Sequence, residues 1–353
     1  MQCRPVFSAR SSWMAAVLPF FLANIGIVWS GDLLVFPSIS GVVRISGDDI
    51  HKKQDFQPAL DIFFSMKREP ILFLAEFFVS RDEHEMERLQ VGIAPNASNK
   101  IWMGRFHTPL SYWNTAYHHG AYLQPSITRP GIAEYEDEQG ILPMHLTGIL
   151  LDGSKELSQT RLNYELAVGV GPILKDALTP MNITAPSAEG RFSISSKLGF
   201  QPLNSDANET GVFGGYTEIP IRDGLYTNAK QIVAGAFYNK EWSQWRFIGE
   251  LTFIQSRLEN PLGVSRSSFA NVYVHGEYKV SEKWTGYGRV EASTNAHNPY
   301  LQMFPGFISA RALIGGRWEP LPKQAIKFEL VRNESQDNHR YNELGVQWSM
   351  VFP

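Results

Sequence analysis

Residues 342–353 read NELGVQWSMVFP. Leu344, Val346, Trp348, Met350 and Phe352 fall on one side of an extended chain, and Glu343, Gly345, Gln347 and Ser349 fall on the other. Successive side chains of a strand point to opposite faces, so a period of two marks a strand with one apolar and one wet side. Helical spacing would mix the two sets.

The same alternation recurs upstream. In residues 191–201 (RFSISSKLGFQ), Phe192, Ile194, Leu198 and Phe200 oppose Arg191, Ser193, Ser195, Lys197 and Gln201. Residues 161–170 set Leu162, Tyr164, Leu166, Val168 and Val170 against Arg161, Asn163 and Glu165. Residues 271–280 set Val272, Val274, Tyr278 and Val280 against Asn271, His275, Glu277 and Lys279. Sixteen such segments run near 33–45, 57–66, 71–80, 86–94, 101–107, 144–152, 159–171, 190–201, 211–222, 228–239, 244–257, 267–280, 284–293, 307–319, 324–333 and 342–352. Several exceed the five or six residues of an ordinary soluble strand and suit the 9–11 of a tilted membrane strand.

The amino terminus bears on the compartment. Arg4 and Arg10 form a basic flank, residues 13–29 (WMAAVLPFFLANIGIVW) are apolar, and Ser30 and Gly31 are small; no acidic residue precedes Asp32. This order predicts a secretory signal peptide over residues 1–30, cut after Ser30 with Val28 as the other small-side residue. Pro19 and Asn24 interrupt the run, which is too short to anchor the chain in a bilayer. Cys3, the only cysteine, lies within it, so residues 31–353 carry no disulfide framework. With Arg4 and Arg10 set aside, thirty basic residues face 35 acidic ones, a net charge of −5. No basic footprint for nucleic acid is present. No later apolar stretch is long enough for a helical span, but a closed barrel needs none, because its backbone groups pair between strands.

The connections alternate in character. Short turns follow the second, tenth, twelfth and fourteenth segments, at residues 67–70, 240–243, 281–283 and 320–323, whereas longer polar stretches lie at 46–56, 172–189, 294–306 and 334–341. Residues 202–210 and 223–227 are both long for turns. Short periplasmic turns and long external loops distinguish outer-membrane barrels, and an even strand count puts both termini on one side.

A closing strand of alternating apolar residues with a terminal aromatic, here Phe352 before Pro353, resembles the C-terminal signature of bacterial outer-membrane barrels. The strand pattern and loop order resemble the general porins of Gram-negative bacteria. The resemblance implies an all-β fold, a transmembrane antiparallel barrel of about 16 strands over residues 31–353, with one long loop folded inward. It also implies outer-membrane lipid as surroundings, small hydrophilic solutes or ions as cargo, and a homotrimer.

Residues 108–143, TPLSYWNTAYHHGAYLQPSITRPGIAEYEDEQGILP, stand apart in length. Loops beyond about 12–15 residues are usually functional or disordered, and the aromatic content here favours packing. The stretch falls between the fifth and sixth segments, where porins carry the loop that narrows the pore. By that position, not by a motif, Tyr112, His118, His119, Arg129, Glu134, Glu136, Asp137 and Glu138 are expected at a constriction. Arg105, Arg191, Lys197, Arg246, Arg289, Arg311 and Arg317 are expected on the pore wall. An acidic loop facing a basic wall would set a field across the pore, although Glu165, Glu250, Glu277, Glu291 and Glu329 make the wall mixed. Tyr112, Tyr117 and Tyr122 form either a binding track or packing. His107, His118, His119 and His145 lack recognised metal-ligand spacing and read as polar residues bonded to the wall. No metal or other cofactor is expected.

Catalysis finds little support: the outward positions are apolar or aromatic, His275 falls on the wet face, and residues 263–267 (GVSRS) lack the closing glycine of G-x-S-x-G. An eight-stranded adhesive barrel would be filled by its side chains, whereas sixteen strands leave an aqueous channel. The expected function is passive diffusion. The alternatives are a substrate-specific channel and a non-conducting binding or enzymatic barrel.

Overall fold

The computed structural model describes residues 32–47, 54–81, 84–118, 120–136, 140–183, 189–205 and 207–352. The expected signal peptide lies outside them. Strands β1 (Asp32–Ser46), β2 (Gln54–Arg68), β3 (Ile71–Ser80), β4 (His84–Asn96), β5 (Asn99–His107), β6 (His145–Glu156) and β7 (Thr160–Val170) form the first part of the wall. A small hairpin of β8 (Ile173–Leu174) and β9 (Leu178–Thr179) stands outside the wall sheet. The wall continues with β10 (Phe192–Pro202), β11 (Glu209–Pro220), β12 (Asn228–Trp242), β13 (Trp245–Asn260) and β14 (Gly263–Lys279). It ends with β15 (Trp284–Ser293), β16 (Ile308–Trp318), β17 (Gln324–Ser335) and β18 (Arg340–Val351).

Sixteen of these strands pair antiparallel with their neighbours, and β1 closes on β18 from Ser38↔Val351 to Ser46↔Glu343. Closure leaves no open sheet edge. Each of the sixteen segments read from the sequence corresponds to one wall strand. The strand that decided the fold class, residues 342–352, is thus the one that seals the barrel.

The apolar residues of the alternation face outward. Val272, Val290, Ile314, Leu330, Leu344 and Met103 are exposed, Ile314 at 66%, and equivalent residues continue the belt around the wall. So much contiguous apolar surface is untenable in water and fits lipid. Aromatics gather near the short turns: Trp245 lies 4.6 Å from Tyr278, and Trp284 stacks on Trp318 at 5.7 Å. Trp242 pairs with Trp245 across the turn at residues 243–244. Such amphipathic rings suit a membrane–water boundary. No helix among the described residues is long and apolar enough to cross a membrane.

Connections after β2, β4, β6, β10, β12, β14 and β16 lie on one end of the barrel, and most are short. Residues 203–208 are the longest of them, while residues 223–227 belong to the loop end and are no exception. On the loop end, the connections at residues 81–83 and 261–262 are short, against the expected sorting.

The inner face is less wet than its alternation suggested. Ser193, Ser195 and Lys197 point inward as expected, but so do Phe213, Val233, Phe237, Ile248, Ile254, Leu258, Phe269 and Tyr273, all buried. These residues pack on loop segments inside the barrel and form one apolar cluster with them. Outward Leu330 and inward, half-buried Asn163 provide a direct test of the two faces. Leu330→Arg is expected to destabilise the barrel by about 2–4 kcal/mol, the cost of a cation near the bilayer midplane, and Asn163→Lys by less than about 1 kcal/mol. Urea unfolding in lipid vesicles measures both.

Candidate functional site

The long loop begins where two strands leave the wall together. Pairing of β4 with β5 ends at Leu89↔Arg105, while β5 and β6 stay paired to His107↔His145. Gly104 sits at this divergence with φ 135°, and a Cβ there would lie 2.0 Å from the Leu89 carbonyl oxygen. Only glycine accommodates that turn. Between the two strands run a short helix α1 (Tyr112–Tyr117) and a single 3-10 turn at Gly131–Ala133. Most of the described loop is irregular and buried.

Irregular buried backbone must find partners for its N–H and C=O groups. Four wall carboxylates take N–H groups, Asp61 that of Gly120 at 3.2 Å. Glu250 accepts from the Tyr112 backbone N–H at 2.7 Å and the Ser111 hydroxyl at 3.1 Å. Glu329 accepts from the Ile127 and Thr128 N–H groups, both at 3.1 Å, and Glu291 from Gly131 at 2.7 Å. Four wall cations take the carbonyls. Arg289 and Arg311 donate to the Arg129 oxygen at 2.7 and 2.6 Å. Arg317 donates to the Tyr122 oxygen at 2.7 Å, and Lys327 to those of Ala121 and Gln124, both at 2.6 Å.

The aromatics complete the seat. Tyr112 stacks on Phe237 at 4.8 Å and its hydroxyl accepts from Asn239 at 2.8 Å. Trp113, fully buried, meets Tyr273 edge-on, and the Arg289 guanidinium lies 5.4 Å from its ring centre. Tyr112 and Tyr117 are therefore packing residues; Tyr122 stays half-exposed, with Arg317 over its ring at 4.7 Å. A second loop covers the first. Tyr300, Leu301, Phe304 and Phe307 pack in the same apolar cluster as Ile141 and Leu142, and the Tyr300 hydroxyl donates to the Ile141 oxygen at 3.0 Å. This stretch looked like an ordinary polar loop. Tyr300 and Phe304, aromatics within the stretch, are the signal of its role.

The residues expected at a constriction divide. Tyr112, His118, Arg129 and Glu136 are buried, whereas Glu134 is half-exposed and lies 4.0 Å from Arg311. His119, Asp137 and Glu138 lie outside the described residues. The expected field of an acidic loop against a basic wall needs correction on two counts. Glu136 turns to the His145 ring, 2.9 Å away, and to the Met144 N–H, instead of to the wall cations. Arg289, Arg311 and Arg317 meet backbone carbonyls because loop peptides, not loop carboxylates, are what lie closest to them. Among the other wall residues, Lys197 pairs with Glu165 at 2.9 Å and Arg246 with Glu277 at 3.6 Å. Arg105 bonds to the Glu85 carboxylate. Arg191 is exposed just before β10 and donates to the Glu189 oxygen.

The histidines are brought together. Glu87, His107, His118 and His145 are all buried, and one ligating atom from each lies within 4.8 Å of the others. His118 closes α1 and stacks on His107 at 3.9 Å. Burial pushes the His118 imidazole down to about 3, so its ring is neutral. Glu87 escaped the sequence reading because it sits at a β-bulge: Glu76 pairs with Arg88 and Phe77 with Met86, leaving Glu87 between them. A bulge turns a side chain off the alternating pattern.

No family model matches the sequence, nor does any curated protein. Solved structures do resemble the fold. The outer-membrane channel DcaP of Acinetobacter baumannii superposes with a TM-score of 0.59 at 11% identity, over 91% of this chain and 97% of that one. An anion-selective porin from Comamonas acidovorans gives 0.59 at 11% identity, over 91% of this chain and 100% of the other. Salmonella typhi OmpF, in complex with daunomycin, gives 0.58 at 11% identity, over 91% and 97%. The chain has the fold of the outer-membrane porins.

Removing the carboxylate hooks should release the loop without unmaking the wall. A Glu250→Ala, Glu329→Ala variant is expected to lower the free energy of loop opening by about 3 kcal/mol or more, since a hydrogen bond to a charged group contributes about 1.5–3 kcal/mol. Limited proteolysis should then cut within residues 108–143 at least tenfold faster, with the barrel's circular dichroism unchanged.

Proposed function

We propose that the protein is an outer-membrane porin, exported through a cleaved signal peptide, in which small hydrophilic solutes or ions diffuse passively past residues 108–143. The observation that carries this reading is a closed sixteen-stranded wall, apolar outside, whose inner face keeps partly exposed charges. Sixteen strands enclose more space than side chains alone fill. The loop and the second loop above it occupy part of that space, which makes this a narrow pore.

Among the described residues, the charges that retain some exposure inside include Arg44, Arg88, Arg246 and Arg317 on one hand and Asp61, Glu85, Glu134, Glu165, Glu277 and Glu343 on the other. A lumen that carries both signs favours a weaker ion preference than a ring of one sign. Diffusion down a gradient requires no cofactor and no energy source. A homotrimer is part of the proposal; one of the similar structures is described as a trimer form of OmpT of Vibrio cholerae. The similar structures are channels and porins, which favours a conducting role over an enzymatic one.

Single-channel recording in planar bilayers tests the reading. The wild-type barrel is expected to give stable ohmic steps, and a variant lacking residues 112–139 larger ones. Arg246→Glu should move the reversal potential in a salt gradient toward cations. A folded barrel that inserts yet never conducts, with or without the loop, would overturn it.

A further inference from the structure

We propose that Glu87, His107, His118 and His145 form a binding site for one divalent transition cation of the zinc class, which clasps the long loop to the β4–β6 wall. The four residues come from four places: the bulge in β4, the last residue of β5, the end of α1, and the first residue of β6. Their ligating atoms converge within 4.8 Å in a fully buried pocket. Three imidazoles and one carboxylate are a donor set suited to zinc and its neighbours.

The orientation of the His118 and His145 rings supports a metal more than a chance cluster. Asn114 lies four residues before His118, on the same face of α1. Its amide nitrogen donates to the Thr108 and Met144 carbonyls, at 3.0 and 3.4 Å, which fixes its oxygen toward His118 Nδ1. His118 therefore carries its proton on Nδ1, and the Nε2 lone pair points at Glu87 Oε2, 3.6 Å away. Two lone pairs facing each other in a buried site repel unless a cation lies between them.

His145 is arranged in the same way. Its Nδ1 is bonded to Glu136 Oε2 at 2.9 Å, and its Nε2 lies 2.8 Å from Glu87 Oε2. Neither of those last two atoms meets hydrogen-bond geometry, although they are so close. A carboxylate behind the outer nitrogen of a histidine is the usual second layer of a metal site, where it fixes the ring and raises its basicity. Tetrahedral ligands at zinc distances stand about 3.3 Å apart, and the 2.8 and 3.6 Å separations here bracket that value.

Charge gives the same answer. Glu87 and Glu136 bring two negative charges into one pocket, and a dication neutralises both. The clasp also explains why β5 and β6 part from β4 at Arg105: the hairpin end swings its histidines toward the Glu87 bulge.

The site requires only the fold, so its test is independent of conductance. The detergent-solubilised barrel is stripped with chelator, dialysed against zinc chloride, and its bound metal measured by elemental analysis and by competition with a chromophoric chelator. One zinc per chain is expected, with a cobalt(II)-loaded form showing the strong visible absorption of a tetrahedral site. Glu136→Gln, which leaves all four ligands in place, should weaken binding about 10–100-fold, and the double variant His118→Gln, His145→Gln should abolish it. His339→Gln, at a half-buried histidine outside the cluster, should bind as the wild type does. A folded wild-type barrel without stoichiometric zinc overturns the proposal. So does a folded double variant that holds as much zinc as the wild type, which would mean an adventitious ion only.

Discussion

Peptide groups that enter the interior of a membrane barrel must be hydrogen-bonded there, and this requirement governs the structure inside the wall. A strand meets it by pairing with its neighbours; residues 108–143, mostly irregular, cannot. The wall meets it for them. Glu250, Glu291 and Glu329 receive loop N–H groups, and Arg289, Arg311, Arg317 and Lys327 supply donors to loop carbonyls. Because a peptide needs both an acceptor and a donor, a wall that holds one must offer both, and here it does so largely with side chains of both signs. The mixed inner face is a consequence of seating the loop and serves that end before it serves any solute.

Apolar contacts then fix the loop's position. Trp113 and Tyr112 sit against Tyr273 and Phe237, and the second loop lays Tyr300 and Phe304 over Ile141 and Leu142. Such contacts are non-directional, so alone they would permit sliding. The charged hydrogen bonds are directional and remove that freedom. Strands β12–β14 accordingly carry apolar side chains on both faces, exposed on the outside and buried against the loop inside. That is why their inner alternation departs from the polar pattern seen in β10.

The histidine cluster follows from a local break in the same regular wall. Where β5 leaves β4 at Gly104, pairing is lost on one side, and the side chains beyond it turn toward the bulge at Glu87. His107 and His145, paired across the hairpin, arrive together. His118 comes from the loop that this hairpin carries. A fold that had kept β4–β6 evenly paired would have left these rings facing lipid or solvent.

The sequence by itself determined the sixteen strands, their inward and outward faces, and the one connection too long and too aromatic to be a plain turn. A period of two is a local property, and an apolar outer face against a more polar inner one makes it visible residue by residue. The burial of Glu136 against His145, the role of residues 298–307, and the meeting of Glu87 with three histidines were decided only by the tertiary structure. Those contacts join positions far apart in the chain, and their geometry depends on a bulge and a glycine-permitted turn that leave no periodic trace. Arg289 and Arg311 show the boundary most plainly: alternation placed both on the inner face, yet only the folded loop made backbone carbonyls their partners.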